Sequence, residues 1–180
     1  MTIQDLPQNL RESLSTEQQE LLVKLSQKEW RMDNLYTIKD KDGIEKVFKR
    51  NRAQKKVNSY AHNRTIILKT RQQGISTDKL LDNLDKCIFI PGFEAGIQSY
   101  GKNESKKLAN RVKLAWDRFP EIIKQFVHIS VVKMNSDEIE FSNGSILKIG
   151  NFRGDTLQSL HVSELGKIAR KFPEKAEDVS

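Results

Sequence analysis

Three features of the sequence predict an α/β fold in which a mostly parallel sheet is flanked by helices. The apolar run Thr65-Ile66-Ile67-Leu68 ends in a polar turn that carries Gly74 and a hydroxyl pair, Ser76-Thr77. A second apolar run, Leu157 to Val162, ends in Ser163 and Glu164. Between them the apolar spacing alternates between helical and strand periods, as βαβ units require.

The chain has 180 residues, enough for about one domain with one substantial core and too few for a motor with two catalytic domains. A net charge of +7 points to a polyanionic partner, and nucleic acid outranks a membrane surface. No apolar run approaches the ~20 residues of a membrane span. The start, MTIQDLPQNLRES, lacks the charged leader and apolar core of a secretory signal. Cys87 is the single cysteine, which excludes disulfide frameworks and cysteine-based zinc sites and fits a reducing cytoplasm. It sits in an apolar run, as a buried core residue does.

Residues 1–14 read as a loose lead-in. From Ser15, STEQQELLVKLSQKEWRM places Leu21, Leu22 and Leu25 at helical spacing, with Ser15 and Gln18 as a capping box, so an amphipathic helix to about Met32 is expected. NLYTIKDKDGIEKVFKR alternates around Lys41-Asp42-Gly43 and predicts a small hairpin. NRAQKKVNSYAHN has the composition of a short helix leading to Thr65. Thr65 to Leu68, β-branched or bulky, suit a strand buried on both faces of a parallel sheet.

Gly74 has no Cβ to keep backbone amides away from a phosphate. Ser76 or Thr77 offers a hydroxyl for Mg²⁺, and DKLLDNLDKCIF begins the helix whose positive end would face the anion. The usual pattern of such loops has lysine after the second glycine; here Ile75 stands there, so the cation must be Lys69, as a point charge, or Arg71, as a bidentate fork. The plain alternative is a strand, a glycine turn and a surface helix with ordinary basic residues.

Beyond the loop helix, Phe93 to Tyr100 is a strand candidate. NESKKLANRVKLAWDRFP follows as a basic helix with Leu108, Val112 and Ala115 on one face, extended by Trp116 and Phe119 and ended by Pro120. VHISVVKM, EIEF and SILKIG are strands, and Asn143-Gly144 between the last two is a strong hairpin signal. LQSLHV is the next strand, and KIARKFPEKAEDV is helical material.

A nucleotide-hydrolysing site needs a strand ending in acidic residues. Glu164 suits a general base, while Ser163 stands where an aspartate holds the metal, so that it would act through water. The plain alternative is a strand terminus with a solvated glutamate. Upstream, Phe48, Asn51 and Gln54 form F-x-x-N-x-x-Q, and a glutamine so placed can read adenine's edge or be an exposed helix amide.

Gln54 in FKRNRAQ, the loop ILKTRQQGIST, the hairpin EIEFSNGSILKIG and the block FRGDTLQSLHVSELGKIARKFPEKAEDV together resemble the ATPase domain of tailed-phage large terminases, over roughly Asp33 to Val179. Those motors use a divergent loop, R-Q-x-G-x-[ST]-T, which Arg71 to Thr77 fits. The resemblance implies a P-loop NTPase-like fold with a β-hairpin insertion, residues 33–180 forming part of the ATPase domain after the 1–32 lead-in and helix. It implies ATP and Mg²⁺ as cofactors. Gln54 would contact adenine, Lys69 and Arg71 the phosphates, Ser76 or Thr77 the Mg²⁺, and Glu164 would be the catalytic carboxylate. Arg153 would sense phosphate or couple hydrolysis to movement. Expected partners are double-stranded DNA, a portal and a small terminase subunit, with a homo-oligomeric ring in the host cytoplasm and no membrane. The chain is expected to be truncated, without the coupling strand and the nuclease domain of such motors. A non-catalytic remnant that binds nucleotide or DNA is the alternative.

Two basic runs fit DNA phosphate contact: Lys46, Lys49, Arg50, Arg52, Lys55 and Lys56, then Lys102, Lys106, Lys107, Arg111 and Lys113. A solvated helix face accounts for either run equally simply. His62, His128 and His161 lack metal-ligand spacing, and His161 is expected to pack within its strand.

Overall fold

A computed structural model describes residues 15–60, 62–69, 73–99, 101–150 and 156–171. The capping box forms as the sequence predicts: the Ser15 hydroxyl accepts from the Gln18 amide at 3.3 Å, and Ser15 N donates back to the Gln18 side chain at 2.9 Å. The helix it starts is two, α1 (Thr16–Ser26) and α2 (Lys28–Asn34), parted at Gln27, whose backbone is extended. Arg31 explains the break. Its Nη1 donates to Leu25 O at 2.6 Å, satisfying a carbonyl that a continuous helix would have bonded itself.

The hairpin follows as β1 (Thr37–Lys39) and β2 (Glu45–Val47). Its turn is closed by the Asp40 carboxylate, which accepts from the amides of Asp42 and Ile44. Then come α3 (Arg52–Ser59) and α4 (Ile75–Phe89).

A five-stranded sheet forms the centre, built from β3 (Glu94–Gln98), β4 (Val131–Met134), β5 (Glu138–Phe141), β6 (Ile146–Ile149) and β7 (Ser159–Val162) in the order β4-β5-β6-β3-β7. Helices α5 (Lys102–Asp117) and α6 (Glu121–Phe126) join β3 to β4, and α7 (Leu165–Lys171) follows β7. β3 pairs parallel with β6 and β7, whereas β4, β5 and β6 pair antiparallel, so the sheet is mixed rather than mostly parallel. The Asn143-Gly144 turn is the reason. A tight hairpin returns the chain antiparallel, and β6 lands directly beside β3, making the hairpin part of the main sheet instead of an insertion.

Register places Ile139, Leu147 and Ala95 in one row and Ile149 and Ile97 in the next, all buried beneath α4 and α5. Leu108, Val112, Ala115 and Trp116 line the inner face of α5 as their spacing predicts. Trp116 meets Phe141 edge-on at 5.2 Å and stacks on Phe119 at 6.0 Å. Asn143 fastens the hairpin to α4 by donating to Cys87 O at 2.9 Å.

One expected element is missing. Thr65 to Leu68 form no strand, and Ile66 and Leu68 are 81% and 95% exposed. β7 therefore has β3 as its one partner, and its other edge is unpaired, among the described residues.

Candidate functional site

The site lies where α4 begins, against the C-terminal end of β7. Gly74 caps α4 in the left-handed conformation, φ 68°, with no side-chain cap bond. The first amides of a helix have no intrahelical acceptor, and Gly74 has no side chain to cap those of Ile75, Ser76 and Thr77. The Ser76 and Ser163 hydroxyls meet at 3.1 Å, joining the first turn of α4 to the end of β7. Glu164 follows in a left-handed conformation, φ 64°, exposed and paired with Lys167 at 2.9 Å. Arg111, on α5, reaches the same turn and donates to the Thr77 hydroxyl at 3.3 Å.

Beneath the turn lies α3. Its capping box pairs Asn51 with Gln54, each side chain accepting from the other's backbone amide at 2.8–2.9 Å. Asn51 Nδ2 also donates to Gln73 O at 3.3 Å, and Gln54 Nε2 to Gly74 O at 3.0 Å. One turn on, Asn58 Nδ2 donates to Asp78 Oδ2 at 2.7 Å and Asn58 Oδ1 accepts from Lys79 at 2.6 Å.

Asp78 and Arg50 are both buried, and Arg50 Nε donates to Asp78 Oδ1 at 2.6 Å. Arg50 also reaches Glu29 at 2.9 Å and Asp82 at 3.3 Å. Burial works to lower the Arg50 pKa, but Asp78 and Glu29 together outweigh it and leave it raised. Burial likewise works to raise Asp82, and Lys28 and Lys86 overcome it to pull its pKa down to about 2. Asp85, further along α4, takes a two-pronged bond from Arg31 at 2.7 and 2.9 Å and the Tyr36 hydroxyl at 2.7 Å.

His161 faces α4 from β7. Its Nε2 is buried with no hydrogen-bond partner among the described residues. Burial, then the charges of Lys79 and Lys69, push its pKa down to about 4. Lys69 thus carries its charge near the end of β7, on an exposed side chain.

Of the residues singled out from sequence, Gly74, Ser76, Thr77, Ser163 and Glu164 come together around this turn, with Gln54 below it and Lys69 at its side. Arg71 and Arg153 lie outside the described residues. Gln54 is 3% exposed, and both ends of its amide bond within the protein, to Asn51 N and Gly74 O. Arg50 leaves the first basic run, because its guanidinium is buried among carboxylates and cannot meet DNA. Arg111 belongs with the site as much as with the second run. Asn58 and Lys79 carry no sequence motif of their own, and Asn51 and Arg111 stand in the sequence only as part of F-x-x-N-x-x-Q and of the second basic run. The spacing of Asn51, Gln54 and Asn58 was the available signal. Cys87 is fully buried, and burial raises its thiol to about 12, so it is inert packing. No cluster of three or more His, Cys, Asp or Glu that could hold a metal ion occurs among the described residues.

No protein-family model matches the chain, and a search of curated proteins finds no match either. No helix among the described residues is long and apolar enough to cross a membrane.

Proposed function

We propose that the chain binds a nucleoside triphosphate at the start of α4 and is the ATPase portion of a DNA-packaging motor of the large-terminase type. The observation that carries this reading is the 3.1 Å contact between Ser76 and Ser163, because it brings the glycine loop and the acidic strand end to one point. Nucleotide hydrolysis needs both: donors that cradle phosphate and a carboxylate that orients water. The cradle is suited to an anion. The first-turn amides have no side-chain cap, and Lys69 and Arg111 supply positive charge.

Mg²⁺, when bound with the nucleotide, would supply charge neutralisation at the phosphates. The hydroxyl of Ser76 or Thr77 would hold the ion, with Ser163 beside Ser76. Glu164, released from Lys167, would take the proton of a water whose oxygen bonds the γ-phosphorus as the bond to the β-phosphate oxygen breaks and ADP leaves with phosphate. Lys69 and Arg111 would hold the phosphate tail, and Arg71 and Arg153 would add to them. Thr65 to Lys69 would complete the P-loop fold by adding in parallel to the open edge of β7, since a strand there, α4 and β3 make one crossover around β7. DNA, portal, small subunit and ring neighbours are the partners this reading brings.

The test is phosphate release from ATP with Mg²⁺, with and without double-stranded DNA, for wild type and Glu164→Gln. The expected result is a drop of about 10²-fold or more in the variant with nucleotide binding retained. Equal background rates in the two proteins would reject hydrolysis. A non-catalytic nucleotide-binding role is favoured by one observation, the pairing of the Glu164 carboxylate with Lys167. Retained ATP binding with no release in wild type would decide for it.

A further inference from the structure

We propose that the polar face of α3 is a brace that sets the shape of the phosphate loop, with Asn51, Gln54 and Asn58 as positioning residues and no part in reading the base. The proposal rests on the nucleotide-binding reading above but is carried by separate contacts. Asn51 caps the eight-residue helix and Gln54 and Asn58 follow it at intervals of about one turn, and each ends on the loop or the first turn of α4. Asn51 holds the carbonyl of Gln73, Gln54 that of Gly74, and Asn58 the carboxylate of Asp78. The contacts run in chain order on both sides, so α3 is matched to the loop as a template along its length.

The fit is tight at its centre. A Cβ built on Gly74 would lie 2.7 Å from Gln54 Nε2, closer than real Cβ atoms come to any neighbour. Gln54 therefore both bonds the loop and fixes how near it can come. The orientation of its amide is assigned twice over: Oε1 must face Asn51 N, which only donates, and Nε2 must face Gly74 O, which only accepts. An amide committed in this way and 3% exposed has little left for a purine edge. Arg50, next to the cap, grips the other Asp78 oxygen, so the carboxylate cannot swing away from Asn58.

A brace and a base reader predict different selectivities. A brace acts through the loop, so its loss weakens every ligand that bears a triphosphate. Gln54→Glu keeps the capping acceptor of α3 and removes the donor to Gly74; Asn51→Ser keeps the helix cap and removes the amide that reaches Gln73. For both, the expected result is an equal loss of about five- to ten-fold in affinity for ATP, GTP and inorganic tripolyphosphate. A loss confined to ATP would overturn the proposal in favour of adenine recognition. Hydrogen exchange of residues 73–78 without nucleotide provides the second arm, with faster exchange in both variants expected and unchanged exchange in both overturning the brace. That arm stands even if wild type binds no triphosphate, an outcome that would sink the phosphate-site reading alone.

Discussion

At the residue scale Gly74 has the least freedom of any position in the site. Its left-handed φ of 68° costs a residue with a Cβ about 1–2 kcal/mol, and the same Cβ would press on Gln54. Gly74→Ala should destabilise the fold by about 1–3 kcal/mol in denaturant unfolding and drive Gln54 off the Gly74 carbonyl. Adding Gln54→Ala should recover the steric part while the backbone part stays. His161 makes a separate prediction. Its pKa is lowered from the usual value near 6.5 to about 4, so between those values the unfolded chain takes up a proton that the folded one refuses. The His161 contribution should make stability fall as pH drops from 6.5 to 4, by an amount on the order of 3 kcal/mol, and add nothing further below. His161→Phe should remove that part of the slope and leave the losses due to carboxylates, among them Asp82, which the unfolded chain protonates near pH 4 while the folded one holds it charged down to about 2. Unfolding curves at a series of pH values check both.

At the element scale, α4 is a helix with two kinds of inner surface. Leu80, Leu81, Leu84 and Ile88 pack on the core, while Asp78, Asp82 and Asp85 meet Arg50, Lys28, Lys86 and Arg31. The N-terminal segments are thereby clamped to the helix that carries the loop. A buried pair is worth little against an apolar substitute but much against a broken one, because the remaining charge has no partner. Arg50→Met should cost about 3–5 kcal/mol, and adding Asp78→Asn should return part of it. Thermal unfolding of the single and double variants measures the difference. The capping box at Ser15 and the turns at Gly43 and Gly144 form as the sequence predicts, since their partners lie within a few residues, whereas the box at Asn51 appears only in the structure.

At the scale of the whole molecule, the open edge of β7 and the exposed Ile66 and Leu68 are complementary. Burying such side chains is worth about 1.5–3 kcal/mol each, and an unpaired strand edge invites a partner. Nucleotide binding is expected to slow amide exchange across residues 65–69 as the segment pairs with β7, and Ile66→Asp should abolish that slowing. Exchange that is indifferent to nucleotide would exclude strand addition.

The sequence by itself determined the α/β class, the cap at Ser15, the hairpins and the apolar faces of the long helices, because periodicity and turn chemistry act over a few residues. It also brought the loop and the acidic strand end into view as one pattern. Only the tertiary structure decided that the sheet is mixed, that Thr65 to Leu68 stay outside it, and that Arg50 is buried while Arg111 reaches the loop. It also gave the Gln54 amide its partners in the cap and the loop. The physical reason is distance along the chain. A basic or amide side chain carries no mark of whether it will face water, a carboxylate or a carbonyl, and that choice is made by elements that meet only when the core closes.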